Sequence, residues 1–424
     1  MSADTPQFSP AARPARRSRG KHKMITILVT ISRRELYVFL ALVVLVIVGV
    51  WTYRSLFAST DIEIVDPLAG NIFPSEIIST AASGETLIKP VDTLYVGNPN
   101  SLIGIRLRSR RRNTRVRVEV EQTPFFSRSV SEFVLPRAAT LYTVYPDIVW
   151  NYQALRANVQ ATPLSVVISV SVNGQNKQEA VRTFSVRSIN ECLLGYFQYD
   201  ASGHKRSFVN TRQLFAGYVN EDNPKIDKVL REALSARTVN RFMGYQADSA
   251  GVERQVYALW NVLQRRGFKY SSISQSSLSS NVVYSQRVRT FDDALASVQI
   301  NCVDGSVLFA SLLRAIDIDP ILVRLPGHMF VGYYTDRHHR HAQYLEMTMI
   351  GDVNLDDYFP DQQLDSTMQH LTQSQVSRMT FDKSKEYAWQ NMASHTRQLK
   401  AQSVGYMYLP VTDNVRRRIQ PIGR

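Results

Sequence analysis

The distribution of apolar residues singles out one uninterrupted stretch near the N-terminus. Residues 36–53 read LYVFLALVVLVIVGVWTY and contain no charged side chain. At about 1.5 Å per residue, a helix of this length nearly crosses a hydrocarbon core of roughly 30 Å. Arg33 and Arg34 precede the stretch, and aromatic residues lie near both of its ends, as they do at membrane interfaces. The pattern predicts a single transmembrane helix over residues 35–54, with the N-terminus in the cytoplasm.

A cleaved signal peptide is the alternative interpretation of this stretch. The apolar core is long for a signal peptide, and no clear A-x-A cleavage site follows it. We therefore expect an uncleaved, single-pass anchor in a bacterial inner membrane. Residues 55–424 would then form a periplasmic body.

Residues 61–187 follow a different pattern, in which apolar and polar positions alternate. The segment TRVRVEVEQ is one example, and LSVVISVSVNGQNKQEAVRTFSV predicts a hairpin that turns at Asn173 and Gly174. About seven short strands with turn signals between them are typical of a β-sandwich. We predict such a domain over residues 61–187.

From residue 188 onward, apolar residues recur at helical spacing, as in VERQVYALWNVLQRRG. A serine-rich stretch at 271–281 is either the rim of a cleft or a plain exposed loop, and its composition does not decide between them. A polar amphipathic helix is expected within a C-terminal helical extension over 361–424. The predicted fold class is α+β: a transmembrane helix, a β-sandwich domain, and an α+β domain over 188–360.

Net charge changes this picture little. The formal charge is +14, which suggests nucleic acid at first, but eight Lys or Arg stand against Asp4 alone in residues 1–34. Much of the excess therefore lies in a basic cytoplasmic tail, which we expect to be disordered. No nucleic-acid partner is predicted.

One cysteine stands where reactive chemistry is expected. Cys302 precedes the apolar run SVLFASLLRAI, which is typical of a buried helix. The partial positive charge at a helix N-terminus stabilises a thiolate, which suits a nucleophile. Two alternatives stay open, because Cys302 could pair with Cys192 in an oxidising compartment or be an inert core residue.

An imidazole and a carboxylate follow downstream. His328 opens a predicted strand after the turn at Pro326 and Gly327, and Glu346 lies in the strand-like segment YLEMT. In a thiol enzyme the imidazole takes the thiol proton, and the carboxylate orients the ring. A buried glutamate needs a partner, so the two assignments support each other.

The order of these pieces resembles the core of the transglutaminase-like superfamily. The segment NCVDGSVLFASLLRAIDIDPILVRLPGHMFVGYY, followed by YLEMT, matches that family's cysteine-x-aspartate at a helix head, its histidine at a strand start, and its acid-x-threonine strand. The matching residues are Cys302 with Asp304, His328, and Glu346 with Thr348. Upstream, ALWNVLQRRGFKYS and RTFDDALASVQINC resemble the approach to the cysteine.

The resemblance covers roughly residues 250–350 and implies a papain-like fold with acyl transfer through a thioester. Glu346 stands where aspartate is commoner, and Asn301 where glycine is common. The implied function is a thiol acyltransferase or amide hydrolase with the catalytic residues Cys302, His328 and Glu346. Peptide, isopeptide and peptidoglycan stem amides all fit such a cleft.

Two other function classes remain. The fold could serve as a catalytically inactive module that binds an envelope protein or a cell-wall polymer. Alternatively, the protein could be an assembly factor whose β-sandwich is the working part.

No cofactor or metal is expected from the sequence. It lacks a glycine-rich phosphate loop and a dinucleotide fingerprint. His338, His339 and His341 lie together in a polar loop without accompanying cysteine or carboxylate spacing, so no metal site is predicted there.

Overall fold

A computed structural model of the protein describes residues 32–57, 62–88, 94–200, 202–271, 279–351, 354–403 and 405–423. Two sequence predictions fall largely outside these ranges. They are the disordered basic tail over 1–34 and the serine-rich stretch, of which 272–278 are not described.

The helix α1 covers Arg33–Phe57 and belongs to a different structural unit from the elements after residue 60. No helix in the described part of the chain combines the length and apolarity that a membrane crossing requires. The prediction of a transmembrane helix over residues 35–54 is therefore wrong.

The predicted fold class is corrected together with that helix. In place of an α+β protein with a transmembrane segment, the structure is mixed α/β, with about 37% helix and 30% strand. Helices and strands interleave along the body instead of following a membrane-spanning element.

Residues 62–186 form two sheets. Their elements are β1 (Ile62–Val65), β2 (Asn71–Ile72), α2 (Pro74–Thr80), β3 (Leu94–Gly97), β4 (Gly104–Ser109), β5 (Thr114–Val120), β6 (Ser129–Leu135), β7 (Thr140–Tyr145), α3 (Tyr152–Ala157), β8 (Thr162–Val172) and β9 (Gln175–Val186). The strand orders are β1-β4-β7-β3 and β2-β9-β8-β5-β6. Alternate residues of β4, β5 and β8 are buried in one hydrophobic cluster, as the period of two requires.

The longest hairpin in this part turns where the sequence predicts. β8 and β9 pair antiparallel and are joined by two residues, Asn173 and Gly174. Both have positive φ, 51° and 79°, which favours asparagine and glycine at these positions. The hairpin prediction is confirmed.

The rest of the body interleaves helices with smaller sheets. Its elements are β10 (Glu191–Tyr199), β11 (Lys205–Asn210), α4 (Ile226–Ser235), α5 (Ser249–Arg265), β12 (Lys269–Tyr270), β13 (Val283–Arg287), α6 (Phe291–Ser297), β14 (Gln299–Ile300), α7 (Cys302–Ala315), β15 (Pro320–Leu325), β16 (His328–Tyr334), β17 (Ala342–Leu345), α8 (Leu364–Met368), α9 (Gln373–Lys400), β18 (Met407–Pro410) and α10 (Asp413–Arg416). The antiparallel sheet β17-β16-β15-β18 carries His328 at the start of β16.

This sheet is covered by a helix on each face. Leu322 and Val331 belong to the larger hydrophobic cluster, which also contains the buried side chains of α7. Val323 and Phe330 point to the opposite face and cluster with Ala388 of α9. The strand β18 comes from the predicted C-terminal extension and pairs with β15, so this extension also supplies a strand. The sheet is thereby held rigidly beside the start of α7.

Candidate active site

Cys302 is the first residue of α7 and is half-buried. The side-chain oxygen of Asn301 caps the helix by accepting the amide N–H of Asp304 at 2.8 Å. The amides of Cys302 and Val303 lie in the first turn and have no intrahelical acceptor. Their N–H groups and the helix dipole favour negative charge at the thiol.

Asp304 fastens the start of α7 to the preceding loop. Its buried carboxylate accepts the backbone N–H of Arg289 at 2.9 Å, and the Arg289 guanidinium lies 3.5 Å away. The pKa of Asp304 is raised, because the effect of burial outweighs the hydrogen bond and the charge of Arg289, which lower it. Asp304 therefore ties the first turn of α7 to Arg289.

His328 is placed by a tight hairpin. The strands β15 and β16 pair so that Leu325 lies opposite His328, with Pro326 and Gly327 as the two-residue turn. Gly327 has φ of 76°, a left-handed conformation that favours glycine. The helix α7 packs against both strands, so the imidazole lies at the sheet end nearest the helix N-terminus.

The imidazole links the other two predicted residues. Its Nε2 lies 2.5 Å from Oε2 of Glu346, and the ring also interacts with the Cys302 thiol. Because Glu346 takes Nε2, Nδ1 is the nitrogen left for sulfur. Burial lowers the pKa of His328, but the interactions of the ring with Cys302 and Glu346 outweigh burial and raise the pKa to about 10. At neutral pH the ring therefore carries a positive charge beside the thiol.

Glu346 is fully buried and follows directly after β17, one residue beyond the strand in which the sequence placed it. Its Oε1 accepts the amide N–H of Thr348 at 3.1 Å and the Thr348 hydroxyl at 2.8 Å. Its own backbone N–H donates to the Ser384 hydroxyl at 2.7 Å. Both carboxylate oxygens are thus hydrogen-bonded, and the residue is fixed from two directions.

Three further residues belong to this network and carried no signal in the sequence. Ser384 comes from α9, and the Tyr358 hydroxyl lies 2.8 Å from that of Thr348. Tyr270, at the end of β12, interacts electrostatically with Cys302 and Glu346, while burial is the main cause that raises its pKa. Ser384 bonds Glu346 directly, whereas Tyr358 reaches it through Thr348. Only the motif threonine, Thr348, pointed to this region in the sequence.

The second cysteine is not bonded to the first. Both thiols are free, and Cys192 is fully buried in β10. Burial raises the pKa of the Cys192 thiol well above its ordinary range. Cys192 is therefore a neutral core thiol in this structure, which leaves Cys302 unconstrained by a disulfide.

In the loop that carries His338, His339 and His341, His339 makes a polar contact and an aromatic contact. Nε2 of His339 lies 2.8 Å from the Asp319 carboxylate, and its ring stacks on Tyr334 with centroids 4.1 Å apart. Across the part of the chain that the structure describes, three or more His, Cys, Asp or Glu side chains are nowhere grouped as metal ligands.

The structure brings Cys302, His328 and Glu346 together, with the imidazole bonded to the carboxylate and interacting with the thiol. Neither a family model nor a curated protein matches this sequence. The functional argument therefore rests on the geometry of these side chains.

Proposed function

We propose that the protein is a cysteine acyltransferase or amide hydrolase that works through Cys302, His328 and Glu346. The observation that carries this proposal is an imidazole that is hydrogen-bonded to a buried carboxylate and interacts with the thiol at the start of α7. A charged imidazole beside a thiol at a helix N-terminus is the arrangement that activates a cysteine nucleophile. The transglutaminase-like resemblance of residues 250–350 supports the same reaction class.

The geometry supports a two-step reaction. Sγ of Cys302 attacks a carbonyl carbon, and the amides of Cys302 and Val303 are the donors available to the oxyanion that forms. His328 gives its proton to the leaving nitrogen as the C–N bond breaks, which leaves a thioester on sulfur. Water or an amine then attacks the thioester, His328 takes its proton, and the S–C bond breaks.

Glu346 supports both steps without contacting the substrate. Its buried carboxylate accepts from Nε2, which keeps Nδ1 directed at the thiol and stabilises the positive ring. Thr348 holds the second carboxylate oxygen in place.

Alkylation kinetics of the full chain test the proposal. Iodoacetamide modification of Cys302 is followed by mass spectrometry at pH 6, where an ordinary thiol is almost entirely protonated. We expect rapid labelling of Cys302 in the wild type and a rate at least roughly tenfold lower in His328→Ala. Cys192 is the internal control, since it is buried and should label only after unfolding.

Equal rates in the wild type and His328→Ala would show that Cys302 is an ordinary thiol. The proposal would then be rejected in favour of an inactive binding module. The Cys192→Ala variant should label as the wild type does and excludes a contribution from the second thiol.

A further inference from the structure

Two arginines lie near the candidate site, and of these Arg212 is buried and Arg324 is half-buried. Arg324 belongs to β15, one residue before Leu325, the partner of His328 in the hairpin. Its guanidinium interacts electrostatically with Cys302 and Cys192. Arg212 follows β11 and is close enough to Arg324 for the two positive charges to repel each other. The two cations therefore lie next to each other, and Arg324 also interacts with the thiol.

The partners of these arginines are neutral. Arg324 donates to the carbonyl of Gly405 at 2.9 Å. Arg212 donates to the side-chain oxygen of Asn210 at 2.8 Å and to the carbonyls of Gln402 and Ser403 at 3.3–3.4 Å. Within the described ranges, no carboxylate forms an ion pair with either guanidinium.

Two other arginines that are buried or half-buried do have carboxylate partners. Arg416 pairs with Glu221 at 2.5 Å, and Arg314 pairs with Asp319 at 2.5 Å. Burying a charge without a counter-charge is costly, so paired arginines are the expected arrangement. Arg212 and Arg324 depart from this arrangement, and Arg324 does so close enough to interact with Cys302.

Among the described residues, the groups that interact with the pair offer too little negative charge to balance it. Burial is the main cause that lowers the pKa of both arginines, as expected for cations without an acidic partner. Cys192 is a neutral thiol and supplies no anion. A thiolate at Cys302 would balance one of the two charges and leave the other.

We propose that Arg212 and Arg324 form an anion subsite beside Cys302 that binds a carboxylate of the substrate. Guanidinium groups bind carboxylates through paired N–H donors, and they do so most strongly where water is excluded. This inference rests on the proposed function and narrows its substrate class to amides that carry a carboxylate near the bond to be cleaved.

Two alkylating agents of similar size but different charge show whether the site attracts anions or whether the thiol is simply reactive. Iodoacetate carries a carboxylate, and iodoacetamide is neutral. The ratio of their rates at Cys302 is measured in the full-length protein and normalised to the same ratio for N-acetylcysteine. A cation pair near the sulfur should raise the normalised ratio roughly tenfold. Arg324→Gln and Arg212→Gln should each lower it several-fold.

Charge-preserving and distant variants serve as controls. Arg324→Lys should keep more of the preference for iodoacetate than Arg324→Gln, since it retains the positive charge. Arg337→Gln removes an exposed arginine and should leave the ratio at the wild-type value. Equal ratios in the wild type, Arg324→Gln and Arg212→Gln would overturn the subsite.

The outcome also separates this inference from the proposed function. Loss of iodoacetamide reactivity in His328→Ala supports the thiol mechanism whatever the ratio shows. If Arg324→Gln slows both reagents equally, Arg324 activates the thiol and does not select anions, which overturns the subsite alone. Protection of Cys302 by glutarate, but not by inorganic phosphate at equal ionic strength, supports a carboxylate site. Stronger protection by phosphate contradicts it.

Discussion

At the scale of single residues, the contact between His328 and Glu346 controls the charge of the site. Glu346 is fully buried, and its two oxygens are occupied by the imidazole and by Thr348. A buried carboxylate without a positive partner would be costly. The ion pair therefore stabilises both groups, and it keeps the ring protonated well above the ordinary pKa of histidine.

Replacing Glu346 should release that proton at lower pH. We expect the pKa of His328, raised to about 10 in the wild type, to fall by more than one unit in Glu346→Gln, because the charge and the hydrogen bond to a carboxylate are lost. Nitrogen NMR of ring-labelled histidine measures the titration directly, with His328→Gln to assign the signal. An unchanged pKa in Glu346→Gln would exclude the carboxylate as the cause.

At the scale of elements, the start of α7 and the hairpin β15–β16 together create the site. Asn301 is the cap that fixes where the helix begins, and hence where Cys302 lies relative to His328. Thr372 caps α9 in the same way, with Gln375 completing a capping box. The two caps provide a matched comparison, since only one of them adjoins the thiol.

Removing either cap should cost similar stability but affect the thiol differently. Asn301→Ala and Thr372→Ala should each lower the free energy of unfolding by about 1 kcal/mol, which denaturant titration measures. Only Asn301→Ala should also slow iodoacetamide labelling of Cys302. If both variants react as the wild type does, the first turn of α7 does not set the reactivity of the thiol.

Local sequence was informative where one element defines its own geometry. Cys302 at a helix start, His328 after a Pro-Gly turn and the Asn173–Gly174 hairpin are each visible in a few adjacent residues. The pairing of β18 with β15 and the contact of Ser384 with Glu346 join segments far apart in sequence, so no local pattern reveals them. The membrane prediction rested on the length, apolarity and flanking residues of one stretch, and no helix in the described part of the chain meets the requirements of a membrane crossing.

At the scale of the whole molecule, α2 connects distant parts of the body. The Ser75 hydroxyl donates to the Glu191 carbonyl in β10, and the Ser79 carbonyl accepts the backbone N–H of Gln420. Between them lies Glu76, fully buried, with neither carboxylate oxygen hydrogen-bonded to any described residue. Burial raises the pKa of Glu76 to about 8. Between pH 4.5 and 8, Glu76 therefore stays protonated in the folded protein and is ionised in the unfolded chain.

This proton makes stability depend on pH. Between pH 4.5 and 8 the native state binds more protons at Glu76 than the unfolded state does, so the free energy of unfolding falls as pH rises. The slope from this group is at most about 1.4 kcal/mol per pH unit. Denaturant titrations across this range should show a shallower decline in Glu76→Gln. The exposed Glu132→Gln should keep the wild-type slope, and a wild-type slope in Glu76→Gln would show that Glu76 titrates normally.

The contribution of α9 and β18 to the sheet has a consequence for synthesis of the protein. A nascent chain that has emerged from the ribosome as far as Glu346 already contains all three side chains of the site. It still lacks Ser384, which holds the Glu346 backbone, and β18, which pairs with β15. The order of translation thus separates the appearance of the thiol from the completion of its surroundings. Because β18 begins at Met407, roughly sixty further residues must be made before the surroundings of Cys302 are complete.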